Sequence, residues 1–133
     1  AQAYYGLALA YNSRWQEAEE AVARAMRLSP RDPFLAVYCG IAAYAQFVGR
    51  NYQAAIRLAR ESIRQRSDFV GAHRVLTAAC AMAGDRDAAA AALTDLQRAQ
   101  PNVSLDWIAA NMPIRHADEC THYVEAFRKA GLT

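Results

Sequence analysis

The side chains of this chain that lie close together in sequence and could do chemistry are His116, Cys120 and His122. A helix would place His116 and Cys120 on one face at spacing i, i+4, which suits two ligands of a zinc ion. His122, however, points about 200° of helical turn away from Cys120, and no fourth ligand is evident. We therefore predict that the chain holds no metal and needs no cofactor.

Nucleophilic catalysis is not indicated either. No histidine, serine or cysteine stands beside an acidic residue in a pattern that would activate a nucleophile. The cysteines, Cys39, Cys80 and Cys120, are odd in number and have no Cys-x-x-Cys spacing, which is typical of reduced, mostly buried thiols in a reducing compartment. We predict that this chain is not an enzyme and that any catalytic activity would belong to segments outside it.

The sequence indicates neither a nucleic-acid partner nor a membrane partner. The 15 basic and 13 acidic residues give a net charge of +2 and are spread along the chain, whereas a nucleic-acid-binding domain usually has a basic stripe. Arg57, Arg60 and Arg64 form a short strip that we interpret as the solvated outer face of a helix, with Glu61 placed to pair with Arg57. The absence of a long apolar run and of a secretion signal predicts a cytoplasmic protein.

The composition predicts an all-α fold. The chain is 54% hydrophobic, with alanine dominant, and its 4 Pro and three of its 6 Gly fall between the periodic segments or at their ends. Alanine is the best helix former, and glycine and proline are the strongest helix breakers. The periodic segments predict helices over about 2–11, 14–28, 33–48, 52–66, 69–83, 86–100, 104–111 and 117–130.

Residues typical of helix ends stand between these segments. We expect Gly49 to end the long apolar helix in a left-handed conformation, and Asn51 to cap the next helix. Ser104 is expected to cap the short helix near the C-terminus, and Gly131 to end the last one. The long helix over 33–48 is apolar on all sides, which predicts that it is covered on several sides.

The joint between two helices occurs three times along the chain. A small or turn residue is followed by a new helix with an alanine near its start in the segments 13–18, 49–56 and 84–89. The equivalent alanines are Ala18, Ala55 and Ala89, which are 37 and 34 residues apart. A small residue at a helix crossing allows the two helices to approach closely, so we predict a packing role for these alanines. The chain is therefore predicted to be a helical repeat protein.

The repeats resemble the tetratricopeptide family, whose period is about 34 residues. The matching features are an apolar residue followed by glycine in the first helix, an alanine followed four residues later by a large residue, and closing prolines. They are carried by Tyr5, Gly6, Ala18, Val22, Pro30 and Pro101. The copies are degenerate, because Ser67 stands where a third closing proline is expected, and Ala42 and Thr77 stand near the places of the first-helix glycine.

The resemblance implies a right-handed superhelical stack of three helical hairpins, over about 1–30, 31–67 and 68–101. A C-terminal helix pair over about 103–131 would cap the stack, so that 1–133 is a single domain. In the last helix an apolar face of Cys120, Tyr123, Val124 and Phe127 suits a helix that seals the end of a stack. Because no capping residue precedes the first periodic segment, we expect the chain to be a fragment of a longer protein.

A narrower resemblance concerns the surroundings of such repeats. The segments 28–33, 49–50, 72–76 and 127–132 together look like the C-terminal repeat region of bacterial multidomain proteins of the adenylate/guanylate cyclase type and of winged-helix regulators. The resemblance implies a bacterial regulatory protein whose catalytic or DNA-binding domain would precede this chain.

In the family the first helices of the hairpins line a concave groove where extended or helical peptides bind. The positions that the resemblance assigns to this groove are Leu7, Tyr11, Cys39, Gln46, Phe47, Arg74, Ala78 and Met82. The side chains with which some members hold a peptide's terminal carboxylate are missing here.

We therefore predict a non-catalytic module that binds a protein, a peptide or another domain of its own chain. The alternative is a homodimerisation element in which two N-terminal hairpins bury Tyr4, Tyr5 and Leu9 against each other. A fragment of an enzyme is the third possibility. Light scattering across concentration distinguishes the first two.

Overall fold

The computed structural model describes residues 14–28, 35–112, 114 and 116–133. These residues form seven α-helices and no strand, which confirms the predicted all-α fold. The helices are α1 (Trp15–Leu28), α2 (Leu35–Val48), α3 (Tyr52–Gln65), α4 (Val70–Met82), α5 (Arg86–Ala99), α6 (Leu105–Asn111) and α7 (Ala117–Ala130). None of these helices combines the length and the apolar character that crossing a bilayer requires.

Several predicted features lie outside the described residues. They are the first helix over 2–11 and the residues Tyr4, Tyr5, Gly6, Leu7, Leu9, Tyr11, Ser13 and Pro30.

The helices are arranged as a stack of hairpins. Each helix from α1 to α4 packs against the one that follows it, and α2 also packs against α4. The first helices of two successive hairpins therefore lie side by side. At the C-terminal end α7 packs against α4, α5 and α6.

The long apolar helix α2 lies at the centre of this stack. Eleven of its fourteen residues are buried, among them residues on every side of the helix. The helices α1, α3 and α4 cover it, which is why its sequence carries almost no polar residue. The predicted burial on several sides is confirmed.

The second helices of the hairpins each bury one face. Ala18, Ala55 and Ala89 lie in the core, where their small side chains allow close helix contacts. On α3 the inward face ends at Ser62, which is fully buried and donates a hydrogen bond to the carbonyl oxygen of Ala36 on α2. Ile63, the next residue of the helix, is half-buried.

The opposite face of α3 is solvated, as predicted. Arg57, Arg60 and Arg64 are all exposed. The expected pairing of Glu61 with Arg57 is wrong, because Glu61 accepts a hydrogen bond from Arg64 at 2.9 Å instead. Both spacings are available on a helix surface.

The end of α2 differs from the prediction. Arg50, with φ of 65°, takes the left-handed position that was expected for Gly49. The amide of Asn51 donates to the carbonyl oxygen of Gln46 at 2.8 Å, and the amide of Arg50 donates to that of Phe47 at 3.0 Å. These two hydrogen bonds form a Schellman motif. Gly131, with φ of 107°, ends α7 in the left-handed conformation, as predicted.

Gly49 is required for a different reason, which is its contact with Trp15. A Cβ atom at position 49 would lie 2.5 Å from the indole atom Cδ2 of Trp15. The glycine therefore makes room for the first aromatic ring of α1 against the end of α2. Tertiary packing, rather than helix termination, explains this residue.

The N-terminal caps are partly as predicted. Ser104 accepts a hydrogen bond from the amide of Trp107 at 3.0 Å, which confirms its capping role. Asn51 precedes α3, but its side chain makes no capping hydrogen bond. It donates to the side-chain oxygen of Gln46 at 3.0 Å instead.

Replacement of Gly49 by alanine should destabilise the fold, because the new methyl group would collide with the ring of Trp15. We expect Gly49→Ala to lower the free energy of unfolding by about 1–3 kcal/mol, measured by urea denaturation. In a Trp15→Leu background the same replacement should cost much less, because the ring is gone. An equal cost in both backgrounds would show that the contact is not the cause.

The left-handed backbone of Arg50 predicts an ordering of two variants. Arg50→Gly and Arg50→Ala both remove the same side chain, but only glycine adopts positive φ without a steric cost. We expect the glycine variant to be more stable than the alanine variant by about 1 kcal/mol, measured by chemical denaturation. An alanine variant at least as stable as the glycine variant would contradict the assignment.

Candidate interaction surface

The surface formed by α2 and α4, here called the first-helix face, is where the sequence places the groove. Four predicted groove residues belong to the core instead, because their exposed fractions are 2% for Cys39, 8% for Gln46, 1% for Phe47 and 0% for Ala78. A ligand has almost no surface to contact at these positions, and this part of the groove prediction is corrected. Arg74 and Met82 are half-buried.

Part of the first-helix face is covered by the chain's own last helix. Tyr123 of α7 meets Tyr44 and Phe47 of α2 with ring centroids 5.5 and 5.4 Å apart, both edge to face. The ring of His122 stacks on Phe47 at 4.6 Å. Edge-to-face and stacked ring pairs stabilise a contact beyond the area they bury. Helix α7 therefore does more than seal the end of the stack, since it also lies against α2.

Polar contacts attach the same helix to the joint between α2 and α3. The guanidinium of Arg50 donates two hydrogen bonds to the carboxylate of Glu119, each at 3.0 Å. The hydroxyl of Tyr52 lies 2.9 Å from Nε2 of His122. A two-pronged arginine contact of this kind is among the stronger ion pairs. The left-handed backbone at Arg50 thus directs a side chain that holds α7 in place.

His122 is a packing residue of this contact rather than an obvious metal ligand. Its side chain is enclosed between Phe47 and Tyr52, and its Nδ1 atom is buried without a hydrogen bond. Burial lowers the pKa of His122, with a further lowering by the charge of Arg50, while Glu119 opposes the shift. Across the described ranges, no group of three or more His, Cys, Asp and Glu side chains is arranged to hold a metal ion.

The cysteines match the expectation for structural thiols in two of three cases. Cys39 and Cys80 are buried, and Cys120 is half-buried. Burial raises the pKa of both Cys39 and Cys80. A raised pKa leaves little thiolate at neutral pH, so these two thiols are poor nucleophiles.

The part of the first-helix face that α7 leaves uncovered contains a cavity. Its volume is about 250 Å³. On α2 the lining residues recur at i, i+3, i+4 and i+7, so they form one stripe of the helix. The full lining consists of Val37, Gly40, Ile41, Tyr44, Phe69, Gly71, Arg74, Val75, Met112 and Tyr123.

Two glycines shape this cavity by admitting the ring of Phe69 between α2 and α4. A Cβ atom at Gly40 would lie 2.5 Å from this ring, and one at Gly71 would lie 3.0 Å from it. The sequence interpretation did not predict this contact of Phe69 with the two glycines, and its groove candidates on α2 were Cys39, Gln46 and Phe47. The i, i+3, i+4, i+7 stripe beginning at Val37 is the signal that could have identified the side of α2 that lines the cavity.

Arg74 is the predicted groove residue that does line the cavity. Its Nη1 atom donates to the side-chain oxygen of Gln100 at 3.1 Å, and its guanidinium carbon lies 5.8 Å from the ring centroid of Trp107. These contacts hold the cation at the edge of an apolar surface. The described lining has no histidine, cysteine, serine or acidic residue.

Comparison with known proteins found no family model that matches the chain and no curated protein that matches its sequence. The interpretation of this surface therefore depends on its geometry. The resemblance to tetratricopeptide repeats stays a prediction.

The lowered pKa of His122 predicts a pH-dependent stability. In the unfolded chain this pKa is about 6.5, so the unfolded state binds the proton more readily than the folded state. The stabilising contribution is present above pH about 6.5 and is lost as the pH falls through and below that value. We expect the melting temperature to fall accordingly between pH 7.5 and pH 5.

A His122→Phe variant is the matched control, because it keeps a ring against Phe47 and cannot titrate. Its melting temperature should change less over the same pH interval than that of the parent chain, measured by circular dichroism. Identical pH dependence of the two proteins would show that another group is responsible.

Proposed function

We propose that this chain is a non-catalytic helical-repeat module that binds a segment of another protein, or of another domain of its own chain, through the first-helix face. The observation that carries this proposal is the apolar cavity of about 250 Å³ between α2 and α4, with Arg74 at its edge. Apolar cavities with a few well-placed polar groups are the usual form of a binding site.

The proposed repeat family and the proposed class of the whole protein follow from the sequence resemblance. We propose that the hairpins are tetratricopeptide repeats in a right-handed superhelix, in which the first-helix face is concave. We also propose a cytoplasmic regulatory protein of the bacterial cyclase-type or winged-helix class as the whole. The packing of α2 against α4 and the buried alanines at the three equivalent positions support the repeat assignment.

The same proposal holds that this chain catalyses no reaction. The cavity is lined by one arginine and two tyrosines beside apolar residues. The buried thiols of Cys39 and Cys80 have raised pKa values because of their burial. Recognition of a partner, rather than conversion of a substrate, is the activity that such a lining supports.

Peptide display can test the proposal. Nine-residue random peptides would be selected on the parent chain, and their affinities would be measured by fluorescence anisotropy. Val37→Trp fills the cavity from a half-buried lining position, so we expect it to weaken binding at least about tenfold, a loss of roughly 1.4 kcal/mol. Ala90→Trp places the same side chain at an exposed position of α5 and should leave binding unchanged.

Two outcomes would contradict the proposal. One is that no peptide binds, and the other is that a folded Val37→Trp variant binds as well as the parent chain. Light scattering on the same preparations measures the competing homodimer. A dimer that persists on dilution, together with no peptide binding, would favour dimerisation through the N-terminal hairpin.

A further inference from the structure

Arg74 differs from every other arginine in the described residues. It is half-buried, whereas the others are all exposed. Many of the others pair with an acidic side chain, and these are Arg14, Arg50, Arg64, Arg66, Arg98 and Arg128. Within the described part of the chain, no ion pair involves Arg74.

The groups that hold the Arg74 side chain are neutral. Gln100 accepts one of its hydrogen bonds at 3.1 Å, and the Trp107 ring lies beneath the guanidinium carbon at 5.8 Å. A guanidinium carries five N–H donors, so donors remain for another acceptor. The described lining of the cavity contains no carboxylate, and the positive charge at its edge is not compensated there.

Partial burial makes this charge a better anion site than a surface arginine. Coulomb attraction grows as water is displaced, since the effective dielectric constant falls. Arginine also binds a carboxylate through two parallel hydrogen bonds, which a lysine cannot do. An anion placed here would gain more than one at the solvated arginines of α3.

The size of the cavity limits what its apolar part can accept. Its volume of about 250 Å³ is below the roughly 300–1,000 Å³ of pockets that enclose drug-sized ligands. It suits one or two large side chains rather than a whole organic cofactor. Its walls are already built, because Gly40 and Gly71 admit the ring of Phe69 without an external ligand.

We infer that the cavity takes a large apolar side chain of a partner segment whose neighbouring Asp or Glu pairs with Arg74. The inference depends on the proposed function, and it specifies the chemistry of the partner as an apolar anchor with an acidic side chain within about one helical turn, or roughly four residues. The match between the uncompensated cation and the adjoining apolar cavity selects this occupant. The acid belongs to a side chain, so a peptide without a free C-terminus should bind.

The test uses display-selected peptides that are synthesised with acetylated N-termini and amidated C-termini. We expect the selected sequences to be enriched in Asp or Glu close to a Phe, Leu or Trp. Exchange of that Asp or Glu for Asn or Gln should weaken binding to the parent chain by about tenfold to a hundredfold. This arm requires no variant of the protein.

Protein variants complete a double-mutant cycle. Arg74→Gln should weaken binding of the acidic peptide by a similar factor, and it should cause little further loss for the amide peptide. Arg74→Lys should restore only part of the affinity, because a lysine keeps the charge without the paired hydrogen bonds. Arg86→Gln, at an exposed position of α5, is the matched control and should change nothing.

The outcomes separate this inference from the proposed function. Peptides that lose affinity for Val37→Trp, yet show no acidic enrichment and bind Arg74→Gln as well as the parent chain, would overturn the pairing with Arg74 and leave the binding function intact. Peptides that are indifferent to Val37→Trp, or a selection that recovers none, would overturn both.

Discussion

The burial of α2 on all sides is the constraint on which the rest of this structure depends. A helix with apolar residues around its whole circumference is stable in water only if other elements cover each side. Helices α1, α3 and α4 supply three of these contacts, and the rings of α7 supply a further one through Tyr44 and Phe47. The hairpin stack and the position of the last helix follow from this single requirement.

The position of α7 also decides which part of the first-helix face stays open. Near the joint with α3, the face is closed by His122, Tyr123 and the ion pair of Glu119 with Arg50. Toward the N-terminal end of α2, helix α7 no longer covers the face, and the cavity between α2 and α4 lies there. Tyr123 lines the cavity while it packs on Phe47, so the stabilising contact and the candidate binding site share a wall.

The electrostatic pattern follows the same division. Where α7 covers the face, the cation of Arg50 is paired with a carboxylate of the same chain. Where the face is open, Arg74 is held by neutral groups. The two arginines are therefore in different settings, because Arg50 is paired within the chain and the proposed partner acid would pair with Arg74.

Sequence alone was sufficient for the seven described helices, for the burial of the apolar helix on several sides and for the helix ends at Ser104 and Gly131. Each of these depends on propensity, periodicity or local hydrogen bonding within a few residues of the chain. The solvated arginine face of α3 was also predictable, since a stripe of unpaired charges at helical spacing is stable only where water solvates it. Local physics therefore determined the fold class and the approximate element boundaries.

Only the tertiary structure decided what Gly49, Arg50 and Arg74 do. In the sequence Gly49 indicates a helix end. In the structure its lack of a side chain leaves room for the ring of Trp15, which lies more than thirty positions earlier in the chain. The groove candidates on α2 differ from the residues that line the cavity, because a shift of one position rotates a helix face by about 100°. The sequence also does not show which part of α2 is covered by α7. Contacts between distant segments, which leave no local periodic signal, form the cavity and hold Arg74, already a groove candidate from the sequence, at its edge.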